Sequence, residues 1–319
     1  MTRPVVRLGT RGSRLALIQA EMVRSRLVAR SPELRVEVVP IRTRGDRLQD
    51  KPLSVYGGKG FFIKEIEDAL LDGRVDLAVH SLKDLPTDLP PGLVLGGVLA
   101  REEPRDALAT ADGAGLEALV EGDAVATSSS RRRAQLLAMR PDLSVVDVRG
   151  NVDTRLAKLD EGRFRALVVA AVGLVRMGLE DRVSGLLDPE VMLPASCQGT
   201  IGMEVRSDDG RMLRLVQAIG DARTMACSRA ERAVLHAVGG GCQLPLGCLA
   251  EIEGTDVRTR ATGGRIRALI AAPDGSRVIR REGTAAVDRL EELASDLAAE
   301  LLGAGGREIL EEIGYRDGA

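Results

Sequence analysis

The sequence predicts an α/β protein of two similar lobes followed by a small α+β domain. Three observations predict it. Short apolar strand-like segments alternate with amphipathic helical segments as far as Pro194. One helix–stop–strand unit occurs twice, as LLDGRVDLAVHS (70–81) and KLDEGRFRALVVAA (158–171), which points to internal duplication. Past Pro194 the pattern changes to a turn and strand, a helix, a Gly-rich segment and a run of strands closed by a helix.

Taken in order, VVRLGT (5–10) has the apolar content of a short buried strand, and about 15–28 carries Leu15, Ile18, Met22 and Leu27 near one helical face. Residues 35–41 alternate as a second strand. A helix over about 62–71 stops at Asp72-Gly73, and a strand over 75–80 runs into the loop Ser81–Pro86. The plan then repeats: strand 124–127 and a helix to Met139, strand 145–148 and a helix over 154–159, strand 166–171. Segment 196–205 reads as a turn and strand returning the chain to the first lobe. A helix over about 221–238 ends in Gly239-Gly-Gly-Cys242-Gln-Leu-Pro245. Strand-like runs at 248–253, 265–271 and 277–281 and a helix over about 286–302 complete the last domain. Such alternation implies mostly parallel sheets covered on both faces, with ligands beyond the carboxyl ends of the strands. Arg11, Asp84, Arg131, Arg132, Arg149 and Arg176 all fall just after predicted strands, so two facing lobes would aim them into one cleft.

The 319 residues suit two or three domains, and 44% apolar with 29% charged residues indicates a folded chain. Aromatics at 2%, with no Trp, argue against a base-stacking surface, and a net charge of −2 argues against a nucleic-acid or membrane field. The start Met1-Thr-Arg-Pro has no apolar leader, so a cytoplasmic location is expected. Cys197, Cys227, Cys242 and Cys248 lack metal or disulfide spacing and are expected as thiols, and no metal site is expected. Basic residues are 40 Arg against 5 Lys. Codon bias explains such an excess, and so does a polyanionic ligand, whose acids a guanidinium fork binds bidentately.

The residues alone leave the roles open. Cys242, among glycines, is a reactive loop thiol or an inert buried one. Asp84, after Lys83, is a carboxylate stabilising positive charge in a cleft or an ordinary turn residue. Gly57-Gly-Lys-Gly60 lacks the spacing of a phosphate loop and reads better as a flap. Ser128-Ser-Ser-Arg-Arg-Arg133 opens a helix, where N–H groups add to the guanidinium charge in binding an anion.

Together LGTRGSRLALIQA (8–20), GGKGFFIKEIEDAL (57–70), DLAVHSLKDLP (76–86), REEPRDAL (101–108), TSSSRRRAQL (127–136), VRGNVDTRLAKLDEGRFRALVVAAVGLVRMG (148–178), CQGTIGMEVR (197–206) and ERAVLHAVGGGCQLPLG (231–247) resemble the porphobilinogen deaminase, or hydroxymethylbilane synthase, family. The resemblance implies two periplasmic-binding-protein-like domains around a cleft, at 1–99 with 198–218 and at 100–197, and a C-terminal domain at 219–319. It implies a transferase of tetrapyrrole (porphyrin and haem) biosynthesis that joins four porphobilinogen molecules, losing ammonia, into linear hydroxymethylbilane. The primer it implies is a dipyrromethane cofactor held by a thioether to Cys242. Asp84 would be the catalytic group, lying buried beneath the oligopyrrole, with Lys83, Ser129, Arg131 and Arg132 as further cofactor binders. Arg11, Ser13, Arg149, Arg155 and Arg176 would hold substrate acids, and Lys59 and Phe62 would lie on or near the flap. Departures from the family pattern fall at Gly12, Arg14, Ser130, Val175, Ala195-Ser-Cys197 and Gly239, and none removes an acid, thiol or arginine that the reaction needs.

A monomer is expected. Two other classes compete: a non-catalytic solute-binding protein for a small organic acid, and the sensing domain of a transcription regulator. The first predicts a signal peptide and gives Cys242 no role, and the second needs a DNA-reading helix pair, whereas the start of the chain already reads as the first strand of the cleft domain.

Overall fold

The structure, a computed structural model of the chain, describes residues 5–43, 63–241, 244–252 and 263–315. In chain order its elements begin β1 (Val5–Arg11), α1 (Arg14–Arg30), β2 (Arg35–Ile41), α2 (Lys64–Leu71), β3 (Leu77–Ser81) and β4 (Leu93–Val98). There follow β5 (Asp106–Thr110), β6 (Ala124–Ala126), α3 (Ser130–Met139), β7 (Ser144–Val146), α4 (Val152–Asp160), β8 (Ala166–Ala170), α5 (Ala171–Arg176) and β9 (Gly185–Leu187). The chain continues with β10 (Ile201–Arg206), α6 (Gly210–Ile219), α7 (Ala222–Ala237), β11 (Leu246–Ile252), β12 (Gly263–Ala271), β13 (Val278–Ala286), α8 (Leu290–Leu301) and α9 (Arg307–Glu312).

These elements form two compact units, residues 1–102 with 199–225 and residues 103–198 with 226–319. The first holds one five-stranded sheet in the order β2-β1-β3-β10-β4. Helices cover both of its faces, so its central strands β3 and β10 are buried along nearly their whole length. Val6, Leu8, Leu77 and Val79 pack with Ala20, Val23 and Leu27 of α1 on one side. Ala78 and Leu93 pack with Ile66, Ala69 and Leu70 of α2 on the other. The second unit holds a sheet in the order β7-β6-β8-β5-β9 and a three-stranded antiparallel sheet, β11-β12-β13. Leu297 and Leu301 of α8 and Val234 close the core of that small sheet over Cys248, Ile266 and Ala268.

The fold class is α/β, as the sequence predicts, and the duplication extends to the hydrogen bonding. β1 pairs in parallel with β2 and β3, and β6 pairs in parallel with β7 and β8. β10 then pairs antiparallel with β3 and β4, as β5 does with β8 and β9. The expectation of mostly parallel sheets is therefore corrected: each five-stranded sheet has two parallel and two antiparallel pairings. The return of β10 to the first sheet is read from the sequence, but its reversed direction is not. In the second sheet β5 pairs with β8 and β9 rather than with its chain neighbour β6, which local strand–helix alternation does not record.

Candidate active site

In the first unit the site residues gather where β1 and β3 end. Arg11 is the last residue of β1. Ser13 caps α1, its Oγ accepting from the Ala16 amide at 3.3 Å. A serine in extended backbone there satisfies one of the helix's unmet N–H groups. β3 passes into a single turn of 3₁₀ helix, Leu82–Asp84, closed by the Leu85 amide on the Leu82 carbonyl at 3.1 Å. Leu82 and Leu85 are buried and anchor the turn, while Asp84 between them is exposed and Lys83 half-buried. The expectation of a buried Asp84 is thus corrected. Leu82 and Leu85, three apart in this 3₁₀ turn, share its buried face, which leaves Asp84 facing outward.

The backbone leading to Asp84 is held from three sides. Thr10 Oγ1 donates to the Val79 carbonyl at 3.4 Å, Gln19 Nε2 donates to Ser81 Oγ at 2.8 Å, and the Leu82 amide donates to the Thr200 carbonyl at 3.0 Å.

In the second unit the matching strand ends carry guanidinium groups. Ser129 caps α3, accepting from the Arg132 amide at 3.4 Å, and Ser128 Oγ bonds both the amide and the carbonyl of Val148. Arg131 and Arg132, 3% and 7% exposed, turn inward onto Asp106, which is 0% exposed. Arg131 Nη1 donates to Asp106 Oδ2 at 2.8 Å and to the Leu193 carbonyl at 2.7 Å. Arg132 reaches Asp106 Oδ1 through Nε at 3.0 Å and Nη2 at 2.7 Å. Gln198 completes the cluster, donating to the same Oδ1 and to the Pro104 carbonyl, each at 2.8 Å.

Burial alone would raise the Asp106 carboxyl, but the two guanidiniums overcome it and hold Asp106 far below the usual carboxylate range. Burial, with the neighbouring Arg132 charge, lowers Arg131 despite the pull of Asp106. Two guanidiniums facing one carboxylate leave one positive charge over, and Arg131 Nε is buried with no hydrogen-bond partner among the described residues.

Arg149 follows β7, and its carbonyl accepts from Lys158 Nζ at 2.9 Å. Arg155 Nε donates to the Gly150 carbonyl at 2.8 Å. Arg176 closes α5, the helix that opens directly from β8. The structure thus brings Arg11, Ser13, Lys83 and Asp84 to one group of strand ends, and Ser129, Arg131, Arg132, Arg149, Arg155 and Arg176 to segments after β6, β7 and β8. Cys242, Lys59 and Phe62 lie outside the described residues. Cys197, Cys227 and Cys248 are buried thiols. Sequence reasoning missed Asp106, Gln198, His80, Glu67 and Glu204. Asp106 had one signal, a carboxylate opening an otherwise apolar strand, ALAT.

Among the described residues no group of His, Cys, Asp and Glu could hold a metal, and no helix is long and apolar enough to cross a membrane.

Comparison with known proteins places this geometry. The family model described as "Porphobilinogen deaminase, dipyromethane cofactor binding domain" matches residues 6–214, and its C-terminal domain model matches residues 225–303. A porphobilinogen deaminase of Roseiflexus sp. (strain RS-1) is 48% identical over 303 residues, covering 95% of this chain and 97% of the relative. Solved structures resemble it more distantly. The methionine-binding protein MetQ gives a TM-score of 0.44 at 14% identity over 69% of this chain and 92% of its own. A nutrient-binding protein from Burkholderia cenocepacia bound to methionine gives 0.41 at 13% over 66% and 90%. Scores this low lend no weight to the fold, which rests on the sheets described above. On the two domain models and the close relative, this chain is a member of the porphobilinogen deaminase (hydroxymethylbilane synthase) family of transferases.

Proposed function

We propose that the protein condenses four porphobilinogen molecules into hydroxymethylbilane on a primer bonded to Cys242, with Asp84 as the chemical group and the strand-end arginines as binders of the acids. The family places it in tetrapyrrole biosynthesis and decides against the solute-binding alternative. The observation that carries the residue assignments is the surplus charge of the Arg131–Arg132–Asp106 cluster. A dipyrromethane carries acetate and propionate groups, and a buried guanidinium with an unused Nε suits such an acid. Arg131, Arg132, Ser129 and Lys83 would hold this group. When bound, it supplies a tethered pyrrole whose free α-carbon is the nucleophile, so each new unit meets a reaction partner already in place.

The chain's own residues do the rest. Asp84, exposed on a rigid turn, accepts hydrogen bonds from pyrrole N–H groups and stabilises the positive charge that develops on them. The same carboxylate can take and return a proton there. Arg11, Ser13, Arg149, Arg155 and Arg176 bind incoming acids, each charge-assisted contact contributing about 1.5–3 kcal/mol. Lys59 and Phe62 belong to the proposed flap. The division at 1–99 with 198–218, 100–197 and 219–319, the cytoplasmic location, the monomeric state and the lack of nucleic-acid or membrane partners complete the proposal, on the sequence grounds given above.

Intact mass tests it. The purified chain should exceed its sequence mass by two deaminated porphobilinogen units, and Cys242→Ser should lack them. A folded wild-type chain of unmodified mass that consumes no porphobilinogen after preincubation with it overturns the proposal.

A further inference from the structure

Three buried titratable side chains in the first unit have no part in the chemistry above. His80 lies on β3 and Glu204 on the adjacent antiparallel strand β10, where Gly202 faces His80 and Glu204 faces Ala78. Residues two apart share a face, so His80 and Glu204 are diagonal neighbours on one side of the sheet. His80 Nε2 and Glu204 Oε2 are 3.0 Å apart, and both side chains are buried. The other carboxylate oxygen, Glu204 Oε1, is buried with no hydrogen-bond partner among the described residues. Glu67 is buried on α2, the helix whose Ile66, Ala69 and Leu70 cover this same face at Ala78.

An imidazole and two carboxyls in an apolar layer stay only if they share protons, because two bare negative charges there lose their hydration without return. Burial, then the Glu204 charge, pushes the Glu67 carboxyl up to about 7, with Asp68 adding to it and His80 opposing. Arg206 of β10 is engaged elsewhere, on the carbonyls of Leu70 and Val75 and on Asp209. Below about pH 7, then, Glu67 holds a proton in the same buried layer as Glu204, whose Oε1 has no donor among the described residues.

The cluster's place in the fold gives it a consequence. His80 stands four positions before Asp84, on the strand that runs directly into the Asp84 turn. β10 supplies Glu204, and the Thr200 carbonyl just before it receives the Leu82 amide. We propose that Glu67, His80 and Glu204 form a proton-sharing cluster that positions Asp84, by fixing the β3 strand end against β10 and α2. The inference rests on Asp84 being the reactive group. The three residues are positioning residues, since none is placed on substrate.

Glu204→Gln and Glu67→Gln in the holoenzyme test this. For Glu204→Gln, kcat should fall about tenfold with KM within about twofold and the cofactor mass intact, the pattern of a misplaced catalytic group. For Glu67→Gln, the infrared carbonyl band of a protonated buried acid should vanish. The sign for stability follows from the raised carboxyl: its contribution is whole below about pH 4.5 and lost as pH rises through about 7. Glu67→Gln should therefore flatten the wild-type fall in urea midpoint over that interval. A kcat within about twofold of wild type in Glu204→Gln, or an unchanged infrared band in Glu67→Gln, overturns the proposal. If Glu204→Gln does not fold, the Glu67→Gln band and the pH slope of its kcat decide alone: both must change. Asp84→Asn run alongside separates the two readings, because an active Asp84→Asn removes the assignment of Asp84 itself, whatever the cluster does.

Discussion

The two five-stranded sheets share an order, a set of pairings and a serine-capped helix after β1 and β6, yet the segments that follow the matching strands β3 and β8 end on opposite charges, Asp84 and Arg176. In the first unit β3 leads to the exposed acid Asp84, backed by His80 and Glu204. In the second, β8 leads into α5 and Arg176, and the neighbouring α3 aims two arginines at Asp106. Register and packing are fixed by the apolar pattern, because a one-residue slip would turn every core side chain outward. The loops beyond the strand ends bear no such constraint, so a duplicated scaffold can hold an acid on one copy and bases on the other.

The largest expected effect breaks the acidic half of that contrast. Asp84→Ala should lower kcat by about 10²–10⁴-fold, the range for losing a group that stabilises charge or moves a proton. Because Asp84 is exposed, the variant should unfold within about 0.5 kcal/mol of wild type. Porphobilinogen consumption and urea denaturation measure the two numbers. Turnover near wild type would leave the exposed acid as a turn residue and remove the contrast.

The basic half breaks differently. Asp106→Asn leaves two buried guanidiniums without a counter-charge and should cost about 3–5 kcal/mol by urea denaturation. Its pH dependence follows from a carboxyl held well below its ordinary range. The Asp106 contribution is present above about pH 4 and lost as pH falls toward the depressed folded value. Wild type and Asp106→Asn should therefore converge as the solution is acidified. A cost below about 1 kcal/mol at neutral pH would mean that the cluster does not hold the second unit together.

Particular residues show why the sequence yielded the frame and not this network. β2 has the bounds read from its alternation, 35–41, and the stop at Asp72-Gly73 ends its helix as read. β4 escaped because LVLGGV carries two glycines in the middle. A Cβ at Gly97 would stand 2.9 Å from the Val216 carbonyl, so α6 packs on the bare backbone there, a tertiary fact without a local signature. The strand-end positions of the arginines were legible, and with them the role proposed for these residues as anion binders. That Arg131 and Arg132 face inward was not, because their partner Asp106 opens β5, whose pairing with β8 instead of its chain neighbour β6 only the folded sheet makes. His80 and Glu204 meet for the same reason, across a pairing that only the folded β10 makes.

The smallest effects sharpen the comparison at its most symmetric point, the serine caps. Ser13 accepts from the Ala16 amide at 3.3 Å and Ser129 from the Arg132 amide at 3.4 Å, each capping the helix that follows a matching strand, β1 or β6. Replacing either by Ala should cost about 1 kcal/mol, and by Gly only a few tenths, since Gly also tolerates the cap position. A hydroxyl that accepts from an amide still has its own proton to donate to a carboxylate. Ser13→Gly should therefore keep its stability and still raise KM for porphobilinogen, and Ser129→Gly should keep its stability and lower the bound cofactor seen by mass. If the Gly variants match wild type in both, the serines are caps alone, and the functional difference between the sheets resides in Asp84 and the guanidinium groups.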